Sequence, residues 1–153
     1  MDDITAFYYK KLKKTSDAIN AIFLEEYNRF AEKEFLNLTT KQAILLELLK
    51  DNPLTNSEIA THFEITPSAS TQLVGKLEKK GFLKREINVN NRREIIVHLD
   101  DKGIAYNESM VEFDVYLIKK YYSKLNEKDL ENMVDIQEKI YHTALEVQKG
   151  AKD

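Results

Sequence analysis

Ser68, Thr71, Gln72 and Lys76 are spaced three, four and eight residues from the first, which puts them on one face of a helix. Their side chains are hydroxyls, an amide and an ammonium. Such groups hydrogen-bond base edges or phosphates: a glutamine amide matches the N6 and N7 edge of adenine, and a lysine reaches guanine or a phosphate oxygen. Thr66, Pro67 and Ala69 stand at the start of the same pattern. The plain alternative is a solvated helix face, yet a helix with only a structural task has little reason to keep so much of one face small. Charge argues for contact. Between Pro67 and Arg93 the basic residues are Lys76, Lys79, Lys80, Lys84, Arg85, Arg92 and Arg93, against Glu78 and Glu86 alone, in a chain of net charge −3. Positive charge gathered in one place on an acidic chain marks a face for a polyanion.

The elements that must position these groups are legible on either side of them. Thr55-Asn56-Ser57-Glu58 is a capping box, so a helix starts at Asn56 and buries Ile59, Ala60 and Phe63 along one side. Thr66-Pro67, a cap followed by proline at the first helical position, starts a second helix over 67–80, which Gly81 ends. Leu73, Val74 and Leu77 face inward. Two helices across so tight a turn form a helix-turn-helix. Residues 82–87 and 94–99 are rich in apolar and β-branched types and flank Asn88-Val89-Asn90-Asn91-Arg92-Arg93, which predicts a hairpin with a cationic tip.

Outside this stretch the chain is helical scaffold. A proline- and glycine-free pattern over 3–33 carries Ile4, Tyr8, Leu12, Ile19, Phe23 and Tyr27. A second capping box, Thr39 to Gln42, opens a helix with Ile44, Leu45, Leu48 and Leu49 inward. Two more helices follow the hairpin, one from about Asp101 and one after Asn126. The fold class expected is mainly α with a small β-hairpin: a winged helix-turn-helix lobe over 39–100, flanked by long helices in 1–38 and 101–153. The terminal helices carry more apolar stripe than one chain can cover, so a homodimer of interleaved helices is expected, with a monomeric closed bundle as the alternative.

Several function classes drop out. The 153 residues include no cysteine, hence no disulfide, thiolate metal site or cysteine nucleophile. There is no glycine-rich phosphate loop, and His62, His98 and His142 stand apart from one another, so no enzyme, metal or cofactor is expected. No apolar run reaches membrane-spanning length and no secretory segment opens the chain, which points to the cytoplasm.

At these residues the segment resembles the MarR family of bacterial transcription regulators. The resemblance rests on Leu54-Thr55 with Ile59-Ala60, on Ser68, Thr71, Leu73-Val74 and Leu77-Glu78-Lys79-Lys80-Gly81, on Arg85, on Asn91-Arg92-Arg93, and on Leu99 with Lys102-Gly103. It implies a dimeric binder of double-stranded DNA on a pseudo-palindromic operator, a repressor more than an activator. The helix start (Thr66, Pro67, Ser68, Ala69, Thr71, Gln72, Lys76) would enter the major groove; Lys79, Lys84, Arg85, Asn90, Asn91, Arg92 and Arg93 would hold phosphates or the minor groove. By family position Arg92 goes to DNA and Arg93 mainly to bracing. A small aromatic or anionic effector, bound between dimer helices and lobe, is also implied. Three residues depart from the family pattern: Asn91 for the usual Asp, Gly75 for a common acidic residue, and Ser70 for an apolar one. The competing reading is a winged helix that contacts another protein and no specific DNA.

Overall fold

Polar caps start the short helices where the sequence places them. Thr39 accepts the Gln42 N–H at 3.4 Å while Gln42 Oε1 accepts the Thr39 N–H at 2.9 Å. Thr55 and Glu58 repeat the exchange at 3.2 and 2.7 Å, each pair satisfying two donors that a helix end otherwise leaves open. In a computed structural model describing residues 3–33, 35–89, 91 and 94–150, the elements run α1 (Asp3–Phe30), α2 (Thr40–Leu48), β1 (Leu54–Thr55), α3 (Asn56–His62), α4 (Pro67–Glu78), β2 (Leu83–Ile87), β3 (Ile95–Leu99), α5 (Asp101–Lys120) and α6 (Glu127–Gly150). The expected helices over 3–33 and 67–80 are thus each a turn or less shorter.

The hairpin gains a third strand. The sheet is antiparallel in the order β1-β3-β2, with Leu54 opposite Val97 and Arg85 also opposite Val97 on the other flank. Two residues of β1 have no period to detect, which is why the sequence predicts the hairpin strands alone.

Two compact units divide the chain, residues 1–113 and 114–153. In the first, the core joins α2, α3, α4 and the sheet through Leu45, Leu46, Ile59, Val74, Leu77 and Val97, all fully buried. Here one inward assignment changes: Leu46 is in the core and Ile44 is exposed. An aromatic cluster seats the same core against α1 and α5. Tyr27 and Phe30 each lie 5.3 Å from the Phe113 ring, and Phe35 lies 5.5 Å from Tyr106. Gly103 lets α5 approach β2: a Cβ there would stand 2.2 Å from the Phe82 carbonyl oxygen.

The second unit contains α6, which Asn126 starts by accepting the Asp129 N–H at 2.9 Å. No residue of α6 is buried. Its Ile136 and Ile140 are 57% and 60% exposed, an apolar face without cover from its own chain.

Candidate nucleic-acid interface

A tight turn sets α4 against α3. The Ile65 N–H donates to the Ala60 carbonyl at 2.9 Å and the Glu64 N–H to Thr61 at 3.2 Å, the paired bonds of a helix end whose next residue is left-handed. That residue is Glu64, with φ 50°, where glycine would be the unstrained choice. Thr66 then caps α4 by accepting the Ala69 N–H at 3.2 Å. The Thr55 N–H, donating to Glu58, holds that carboxyl below its usual range and ties down the start of α3.

α4 has two contrasting faces. Ser70, Val74 and Leu77 are fully buried and Leu73 half-buried, while Thr66, Pro67, Ser68, Thr71, Gln72 and Lys76 are exposed and Ala69 is half-buried. The structure therefore brings the expected contact residues together on one open face. The Thr71 hydroxyl donates to its own chain, at the Pro67 carbonyl, 2.9 Å.

Beyond α4, the Gly81 N–H donates to Glu78 at 2.9 Å and the Phe82 N–H to Leu77 at 3.0 Å. Gly81 sits at φ 80°, the left-handed position for which the sequence selects it. Of the expected phosphate binders, Lys79 and Lys84 are exposed and Arg85 is half-buried. Arg85 is committed to α4: its guanidinium donates to the Thr71 carbonyl at 3.0 Å and pairs with Glu78 at 3.4 Å. Lys84 pairs with Glu86 at 3.6 Å, and Glu86 also stands 3.5 Å from His98. Among the described residues Lys76, Lys79 and Lys80 have no carboxylate within ion-pair distance and remain available to an incoming anion. The hairpin bends through Asn88, whose N–H and side-chain amide donate to the Glu94 carbonyl and carboxylate at 2.9 and 2.7 Å. Asn91 is exposed on it, whereas Asn90, Arg92 and Arg93 lie outside the described residues. A crevice of about 340 Å³ opens between α3, α4 and the sheet, lined in part by Ser57, Thr71, Arg85 and Asn91. No group of three metal-ligating side chains occurs among the described residues.

The model of the MarR family matches residues 38–95, which run from the residue before the α2 cap to the first residue of β3. An HTH-type transcriptional repressor of Bacillus subtilis, MdtR, is 32% identical to this chain over 101 residues.

Over residues 38–95 this chain is similar to the MarR family.

The MdtR match covers 66% of this chain and 65% of that repressor's length, so about a third of the relative lies outside the comparison. Solved structures extend the likeness of fold. The YusO protein of Bacillus subtilis shares 27% identity at a TM-score of 0.70, covering 92% of this chain and 96% of its own. FabT of Streptococcus pneumoniae, solved in complex with DNA, shares 20% identity at a TM-score of 0.73, covering 92% and 99%.

Within the MarR frame the departures acquire structural accounts. Gly75 lies beside the arginine of β2, and a Cβ there would meet the far end of the Arg85 guanidinium at 3.4 Å, an ordinary contact. Glu78, one turn later, supplies the carboxylate that position 75 lacks. Ser70 replaces apolar packing by hydrogen bonds to Asn56, at 3.0 Å to its carbonyl and 2.9 Å to its side-chain oxygen. Sequence reasoning missed Asn56. Nothing in a helix-start pattern reveals a partner fourteen residues away. It also missed the apolar character of the wing, where Ile87 and Val89 are 67% and 88% exposed.

Proposed function

We propose that this chain is a homodimeric, sequence-specific regulator that binds double-stranded DNA and represses transcription by occupying an operator. The observation that carries the reading is the two-faced α4. Its inner face is locked into the core, and its outer face offers hydroxyls, an amide and a lysine with no ion-pair partner among the described residues. In the proposed complex the first turns of α4 enter the major groove, with Gln72 and Lys76 at base edges and Ser68 and Thr71 beside them. Lys79 and Lys84 hold phosphates, and the wing, through Asn90, Asn91 and Arg92, follows the adjacent minor groove or backbone while Arg93 braces it. Phosphate contacts fix register and base contacts select sequence.

Dimerisation is supported by apolar helix surface that the chain leaves open. α6 buries none of its residues, and α1 exposes Ile4, Tyr8 and Leu12 at 71%, 64% and 62%. Interleaving these helices in a twofold dimer sets two copies of α4 about one DNA turn, roughly 34 Å, apart. A small aromatic or anionic effector would release DNA by favouring a different spacing, because a ligand that binds both spacings equally shifts nothing. One structural neighbour at 20% identity and a TM-score of 0.66, MepR of S. aureus, is bound to ethidium. No described helix is long and apolar enough to cross a membrane, and a DNA-bound role places the protein in the cytoplasm. MdtR is a transcriptional repressor, and the reading is non-enzymatic.

A gel shift comparing the promoter of the protein's own gene with random duplex at matched salt tests this reading. Preference for the promoter, lost in Gln72→Ala, is expected. Equal affinity for both duplexes would leave the protein-contact alternative standing.

A further inference from the structure

Ser70 is the one polar side chain of α4 that is fully buried. Its hydroxyl donates toward both the carbonyl and the side-chain oxygen of Asn56, at 3.0 and 2.9 Å. The Asn56 amide donates in turn to the Pro67 carbonyl at 3.2 Å. One residue at the start of α3 thus holds two points on the first turn of α4, Pro67 and Ser70. On the other flank, Arg85 of β2 donates to the carbonyl of Thr71, the residue after Ser70, at 3.0 Å.

Directionality distinguishes this arrangement from apolar packing. An apolar side chain in the same place would fill the volume but allow the helix to turn about its axis, because apolar contact is non-directional. A hydrogen bond weakens steeply with misalignment, so the Ser70 hydroxyl and the Asn56 amide fix both the rotation of α4 and the height of its first turn. Thr71 and Gln72 follow Ser70 directly on the chain, and a small rotation of the helix would carry both away from a base edge.

We infer that Asn56 and Ser70 form a positioning latch which sets how selectively α4 reads sequence. The inference rests on the DNA-binding reading given above. Both residues act through α4, so selectivity depends on them while the phosphate-borne part of affinity does not.

A double-mutant cycle on the full-length protein tests the latch. Wild type, Ser70→Ala, Asn56→Ala and the double variant are titrated with a duplex selected from a random pool and with random duplex, across a salt series, with thermal unfolding recorded for each. Either single variant is expected to lower the ratio of selected to random affinity about three- to tenfold. Affinity for random duplex and its salt slope should stay at wild-type values, and the double variant should be no worse than either single one. Unchanged ratios, or losses that multiply in the double variant, would overturn the latch. If Ser70→Ala does not fold, Asn56→Ala decides alone, since Asn56 lies at the half-buried helix start and the Thr55 cap remains. A wild-type protein with no preference for the selected duplex would instead overturn the DNA-binding reading, a distinguishable failure.

Discussion

Two glycines of this chain carry opposite consequences. A Cβ on Gly75 meets only the far end of Arg85 at 3.4 Å, whereas one on Gly103 would lie 2.2 Å from the Phe82 backbone oxygen. Glycine inside a helix costs about 1 kcal/mol relative to alanine. Gly75→Ala should therefore stabilise the protein by up to roughly 1 kcal/mol, while Gly103→Ala should destabilise it by about 1–3 kcal/mol through overpacking against the Phe82 backbone. Urea unfolding of the two variants measures both, and opposite signs are expected. The sequence marks a third glycine, Gly81, by its place just after a helix, but it says nothing of why Gly103 must be small. That reason is a contact across the fold.

On the scale of elements, Arg85 shows where the sequence stops being informative. Its place in a cationic run marks it as a phosphate binder, yet the fold spends its guanidinium on Thr71 and Glu78. The two roles separate by salt dependence. Lys76→Ala should weaken DNA binding and lower its salt slope by about one unit if Lys76 meets a phosphate. Arg85→Ala should weaken binding to a selected site with the slope nearly unchanged, because the guanidinium positions α4; a full unit lost would return Arg85 to the phosphates. Capping boxes, the Thr66-Pro67 start and the strand patterns are local, and the structure bears them out. β1, the Asn56–Ser70 pair and the exposure of Ile44 depend on residues distant in sequence, which is why periodicity does not reach them.

The aromatic cluster that joins α1 and α5 to the core gives a pH signature. Burial pushes the Tyr106 phenol up to about 12, with Tyr27 and Glu47 adding to the shift. A tyrosine in the unfolded chain ionises near 10. The folded state thus holds its proton more tightly, so the contribution is intact below about pH 10 and is lost as pH rises from there toward 12. Tyr106→Phe should flatten the loss of stability between about pH 10 and pH 12, as read from urea midpoints; an equally steep loss would show that other groups control it.

At the scale of the whole molecule, the terminal helices of the proposed dimer decide whether its two copies of α4 act together. Ile136 and Ile140 share one face of α6 and are 57% and 60% exposed. Changing both to Asp should shift a dimer toward monomer in sedimentation at micromolar concentration, with the core of the first unit still folded. A wild-type monomer would defeat the dimer outright. The long apolar stripes are plain in the sequence, but the partner proposed for them is another chain, and a single sequence carries no coordinates for it. Selection of bound duplexes from a random pool tests the central claim most directly. Enrichment of a pseudo-palindrome with half-site centres about one helical turn apart is the expected result, and a pool that shows no enriched site, or one without twofold symmetry, would contradict it.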